Sequence, residues 1–208
     1  MKRLLLAAAL VLAPAPRAVA HQIDEYLQAT RLGISRDRID IEVDLTPGVS
    51  IAPGILAAID RNGDGRIDPR EIEACARAVV ANLSLRVDDR PYALTLVRAD
   101  APSADEIGDG TARIRVEATA DVPLRTSGRH RIAYENGDRS PNGVYLVNAL
   151  KPDSRQLSIV AQQRDRLQHS IAVDVVVTTT LDAFMWLGLS SMGFTALLLA
   201  RLNLKSEL

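Results

Sequence analysis

The sequence predicts a mainly β fold of antiparallel, sandwich-like sheets, with one inserted helix–loop–helix and one C-terminal transmembrane helix. Three observations predict it. Apolar residues recur with a period of two through most of the chain, as where Ile39, Ile41, Val43 and Leu45 alternate with Asp40, Glu42 and Asp44. The period becomes helical on both sides of one polar run, residues 60–71. Residues 184–200 carry no charge, and at 1.5 Å per residue such a run spans roughly 26 Å, adequate for a bilayer core.

Residues 1–20 read as a secretory signal: Lys2 and Arg3 start it, an apolar run from Leu4 to Ala13 follows, and Ala18 and Ala20 precede the cleavage point. Pro14 and Pro16 end that run too soon for a membrane span. Cleavage makes His21 the first mature residue. It removes three of the 25 basic residues and none of the 26 acidic ones, so the mature chain is mildly acidic. Nucleic-acid binding, which shows as a basic stripe or domain, is not expected. The single cysteine, Cys75, excludes an internal disulfide, so packing, with any bound ion, must hold an exported domain together.

The first extended stretch, residues 22–46, reads as a hairpin around the charged turn Arg36-Asp37-Arg38. Pro47-Gly48 breaks it, and residues 53–59 form a short helix. The run that follows, Asp60-Arg61-Asn62-Gly63-Asp64-Gly65-Arg66-Ile67-Asp68-Pro69-Arg70-Glu71, satisfies the EF-hand calcium-loop spacing at every position. A hard dication takes six to eight oxygens, and the chain must curl tightly to supply them. Asp60, Asn62, Asp64 and Asp68 offer side-chain oxygens, Arg66 its carbonyl, and Glu71 a bidentate carboxylate. Gly65 stands at the sharp turn, and Ile67 is the apolar anchor. Asp68 also N-caps the next helix, with Pro69 at its first position. Arg61, Arg66 and Arg70 offset part of the charge, which weakens such a site.

Ile72, Cys75, Ala76, Val79 and Leu83 mark the buried stripe of the exit helix, which places Cys75 as a small packed hydrophobe. The EF-hand thus occupies residues 53–83 of an extracytoplasmic domain over residues 21–181. Beyond it, strands are expected at Leu83–Val87, then, after an Asp88-Asp89-Arg90 turn, at residues 92–97, 112–118, 130–134, 144–150, 157–162 and 171–177. They form either one sandwich with the hand inserted or two small sheets joined by it. The acidic run 100–110 fails as a second calcium loop, because Ile107, Arg113 and Val116 fall on ligand positions; it reads as a solvated loop. The helix faces of a lone hand must then pack on the β domain or on another copy of the chain. The span 182–201 is the anchor, and Arg201 and Lys205 put the tail, residues 202–208, in the cytoplasm.

No nucleophile elbow, zinc-protease helix, Cys-x-x-Cys or phosphate loop is present, so no catalytic residue is assigned and an enzyme is not expected. His130 and His169 fall in strand-like stretches as hydrogen-bonded structural residues. An N-terminal His21 offers imidazole and α-amine together, a nitrogen pair suited to Cu(II) or Ni(II), with His130 or His169 as a further ligand. Transition-metal binding through His21 is therefore the alternative to calcium.

His21 after the signal, the strand end Asp44-Leu45-Thr46-Pro47, the loop 60–71 and the stretch Leu83-Ser84-Leu85-Arg86-Val87-Asp88-Asp89-Arg90-Pro91 together resemble the N-terminal extracytoplasmic region of bacterial nickel/cobalt permeases of the hydrogenase/urease-accessory type. Tyr145-Leu146-Val147-Asn148-Ala149-Leu150 and Gln162-Gln163-Arg164-Asp165 extend the resemblance over most of residues 21–178. It implies a protein of the bacterial inner membrane, with its domain in the periplasm or outside the cell and a membrane permease or self-association as partner; the one apolar run 184–200 makes the expected protein single-pass. Those permeases continue into several membrane helices, whereas one is expected here.

Overall fold

In the computed structural model, which describes residues 24–178, the first alternating stretch folds as the expected hairpin. β1 (Tyr26–Ile34) pairs antiparallel with β2 (Arg38–Pro47), from Tyr26 opposite Pro47 to Ile34 opposite Ile39. The signal sequence, His21, the apolar run 184–200 and the tail lie outside the described residues. Among those described, no helix is long and apolar enough to cross a membrane.

After β2 the chain makes α1 (Ala52–Ile59), the polar loop, and α2 (Pro69–Ala81). Next come β3 (Leu83–Val87), β4 (Arg90–Tyr92), β5 (Thr95–Asp100), α3 (Ala104–Gly108) and β6 (Ile114–Asp121). The last four strands are β7 (Gly128–Asn136), β8 (Gly143–Ala149), β9 (Leu157–Arg164) and β10 (Ser170–Val177). They build two five-stranded sheets, ordered β5-β6-β2-β1-β8 and β4-β3-β7-β10-β9.

The two sheets share one core. Leu32, Ile41, Val43, Ile114 and Val116 of the first join Leu85, Ile132, Tyr134, Ile171 and Val173 of the second in one buried cluster, with Ile59, Ile72, Ala76 and Ile107 from the helices. Burying an aliphatic side chain stabilises the fold by about 1.5–3 kcal/mol before conformational entropy is counted, so a shared core favours one sandwich over two separate sheets. The helix pair is the crossover from β2 in one sheet to β3 in the other. Both expected arrangements therefore hold in part: one sandwich, whose sheets the helix–loop–helix connects.

Four expectations are corrected. The sheets are not wholly antiparallel, because β8 runs parallel to β1 from Gly143 opposite Tyr26 to Ala149 opposite Leu32. Residues 92–97 do not form one strand: β4 belongs to the second sheet and β5 to the first, the chain crossing between them at Ala93-Leu94. Leu83 ends the helical stripe by starting β3. The acidic run contains a helix, α3, capped by reciprocal hydrogen bonds between Ser103 and Glu106, and Ile107 within it is fully buried. One apolar residue among six polar or small neighbours is too weak a periodic signal for sequence to reveal, and the cap alone does not show what the helix covers.

Candidate metal centre

The loop is shaped by its own polar side chains. Asp60 ends α1 and accepts hydrogen bonds from the backbone N–H groups of Gly63 at 2.8 Å, Asp64 at 3.2 Å and Gly65 at 2.8 Å. Asn62 Oδ1 accepts from Asp64 N at 2.8 Å, and Asp64 Oδ1 from Arg66 N at 2.8 Å. Three side chains thus gather the N–H groups of one turn, the local habit of Asp and Asn. Gly63 and Gly65 supply the left-handed backbone, at φ +72° and +77°, and nothing lies within 4 Å of where a Cβ at Gly65 would stand. Conformation, then, is the reason for glycine there, not space.

The far end of the loop is a capping box. Asp68 Oδ1 accepts from Arg70 N at 2.7 Å and Glu71 N at 2.9 Å, and Glu71 Oε2 accepts from Asp68 N at 3.0 Å. Glu71 does more. Its Oε1 accepts from Arg61 N at 2.9 Å and Asn62 N at 3.2 Å, so one carboxylate ties the loop's start to its end. It is buried, at 7 % exposure. Asn62, Asp64 and Arg66 are exposed, while Asp60 and Asp68 are half-buried.

Asp60, Asn62, Asp64, Arg66, Asp68 and Glu71 therefore share one closed turn between two helices. Among the described residues no group of three or more His, Cys, Asp or Glu side chains is close enough to hold a metal ion. The carboxylates of the loop face backbone N–H groups instead, and two of the six expected ligands, Asn62 and the Arg66 carbonyl, are not of those residue types.

Beneath the loop, α2 packs on β5, with contacts to β6 and β3, and α1 packs on α2 and α3. The apolar faces of the helix pair thus have the β domain as neighbour. Small residues Ala74, Cys75 and Ala78 on α2 leave a cavity of about 240 Å³ against Ile55 and Ile59 of α1 and the polar groups Tyr26, Gln28, Asn136 and Asp138. Burial pushes the Cys75 thiol up, against a smaller pull from the Arg61 guanidinium, which leaves it a poor nucleophile.

The polar floor is a network that the sequence reading did not single out. Asn136 Nδ2 donates to Gln28 Oε1 at 2.8 Å, Gln28 Nε2 to Asp138 Oδ2 at 2.5 Å, and the Tyr145 hydroxyl to Asp138 Oδ2 at 2.8 Å. Burial would raise the Asp138 carboxyl, but donors from Tyr145, Ser140 and Gln28 outweigh it and hold the group low. The available signal was Gln28 and Thr30 on the face of β1 that also carries Leu32 and Ile34: polar residues at core positions need partners.

Gly137 N donates to the Asn82 carbonyl at 2.7 Å, and a Cβ at Gly137 would come within 2.8 Å of that oxygen. The Asn136-Gly137 turn therefore docks on the end of α2. Arg164 of β9 donates to the Val147 carbonyl at 2.6 Å and to Asn148 Oδ1 at 2.7 Å, joining the edges of the two sheets.

His130 is at the start of β7, and His169 lies in the turn before β10, not in a strand. Asn136 N donates to the His169 carbonyl at 2.8 Å, which places His169 at the other end of β7, about 20 Å from His130 at strand spacing. The two cannot share an ion. His169 stacks on Tyr145 with ring centroids 3.8 Å apart, and its Nδ1 lies 3.1 Å from Arg139 Nη1. Comparisons of the chain with protein-family models, with curated proteins and with solved structures give no match.

Proposed function

We propose that the chain is a calcium-binding extracytoplasmic module, anchored through the apolar run 184–200, in which residues 60–71 hold one Ca²⁺ as a structural clamp. The observation that carries this reading is the closed turn itself. Oxygens at loop positions 1, 3, 5, 9 and 12 ride on one backbone curl, and Glu71 is drawn back over its start. An ion entering there would take up oxygens of Asp60, Asn62, Asp64 and Glu71 in place of some of their N–H partners.

A clamp fits better than a switch. The apolar faces of α1 and α2 already lie on the sandwich core, so opening the helix pair would expose Ile59, Ile72 and Ala76 to water. At calcium ten times the dissociation constant, linkage adds about 1.4 kcal/mol of stability. The test is calcium titration and thermal melting of the full chain, wild type and Glu71→Gln. Saturable binding with a raised melting temperature is expected for the wild type, with affinity at least about tenfold weaker in the variant. Equal affinity, with no calcium-dependent shift in either, would remove the proposal.

A further inference from the structure

The end of the sandwich opposite the helix pair carries a histidine whose two ring nitrogens both face acceptors. His130 Nδ1 lies 2.6 Å from Asp88 Oδ2, and Nε2 lies 3.0 Å from the Thr126 carbonyl oxygen and 3.2 Å from its hydroxyl. A carboxylate and a carbonyl can only accept, so satisfying both requires an N–H on each nitrogen: the imidazolium. A neutral imidazole has one N–H: kept on Nδ1 for Asp88, it gives up the donation to the Thr126 carbonyl and leaves Nε2 to accept from the Thr126 hydroxyl. The side chain is 12 % exposed, which leaves water little room to replace the lost partner.

These contacts join three segments. Asp88 is in the two-residue β3–β4 turn, where Asp88 and Asp89 take φ +49° and +63°. Its Oδ1 accepts from Arg131 N at 2.9 Å, and its own N donates to the Arg131 carbonyl at 2.9 Å. Thr126 belongs to the connection from β6 to β7, and His130 to β7. We propose that His130 is a proton-operated latch: protonated, it fastens the β3–β4 turn and the β6–β7 connection to β7, and on losing its proton it loosens them, because the Asp88 hydrogen bond loses its charge assistance and the Thr126 carbonyl its donor.

The surrounding charges agree on direction. From the β3–β4 hairpin, Asp88 faces the ring, and the charge of Arg90 also favours the ionised Asp88. On β7, Arg129 and Arg131 flank His130 in sequence but pair with Asp174 of β10. The β10 residue opposite His130 is Val175, which is buried and uncharged. Asp88 is the one ion-pair partner of His130 among the described residues. The Asp88 hydrogen bond, followed by that to Thr126, raises the histidine above its ordinary value against the opposing effect of burial. A raised group stabilises the fold fully below its unfolded value, about pH 6.5, and that stabilisation is lost as pH rises through the folded value.

The experiment is NMR titration of the imidazole resonances in the full chain, with His130 assigned by its absence in His130→Gln. His130 should titrate clearly above 6.5 in the wild type and fall by half a unit or more in Asp88→Asn. In hydrogen exchange, corrected for intrinsic rates, residues 87–90 and 125–131 should lose protection at least threefold as pH crosses that midpoint, and His130→Gln should abolish the dependence. A wild-type midpoint at or below 6.5, or protection of these segments that does not follow the His130 midpoint, would overturn the proposal. Neither measurement depends on calcium, and the pH dependence of wild-type exchange is read without a variant.

Discussion

Asp44 shows how a single residue can defy its place in a pattern. The alternation of β2 turns it to the outer face, yet it is only 6 % exposed, because three arginines cover it. Arg31 reaches it at 2.5 Å, Arg115 at 2.8 Å and Arg113 at 3.1 Å. Burial would raise its carboxyl, but hydrogen bonds from Arg115 and Arg31 outweigh that and hold it low. Asp44→Asn should destabilise the fold by about 1–2 kcal/mol in urea denaturation, a modest figure because the freed arginines can turn to water. At the same scale the loop residues were legible. Gly65 at the sharp turn and Asp68 as N-cap act through their own backbone neighbourhood, so spacing shows their conformational roles. Asp138 was not legible, since its partners Gln28 and Tyr145 come from distant strands.

Among the elements, α2 was readable because its signals are local: Asp68, Pro69 and Glu71 at the start, and Ile72, Cys75, Ala76 and Val79 on one face. α3 was not, because its reason to exist is a single side chain, Ile107, buried where α1 and β2 meet it. Ile107→Ala should cost about 2–5 kcal/mol, whereas Val97→Ala, at a site 61 % exposed on β5, should stay within about 0.5 kcal/mol. Equal effects would show that α3 is not part of the core. The β4–β5 break has a similar cause. Nothing in Tyr92-Ala93-Leu94-Thr95 marks the crossing, because both halves alternate well enough to pair, and the neighbours β3 and β6 decide which sheet each joins.

For the whole molecule, pH acts from two sides. Asp44, Asp88, Asp138 and Asp165 are all held below the ordinary carboxylate range, in each case because hydrogen-bond donors outweigh burial. Depressed acids stabilise the fold above their unfolded values, and that contribution is lost as pH falls through the folded ones. His130 works in the opposite sense. Denaturation midpoints in urea should therefore be higher at about pH 5 than at pH 3 or pH 9, and His130→Gln should flatten only the alkaline side. The sequence by itself determined most of the strands, though not the β4–β5 break, together with the helix–loop–helix and the turn within it, since period, caps and turn residues act over a few positions. Only the tertiary structure decided that both sheets close on one core, that β8 joins β1 in parallel, and that His130 finds Asp88. Those outcomes depend on which distant surfaces meet, and a pattern of period two looks the same whichever neighbour it receives.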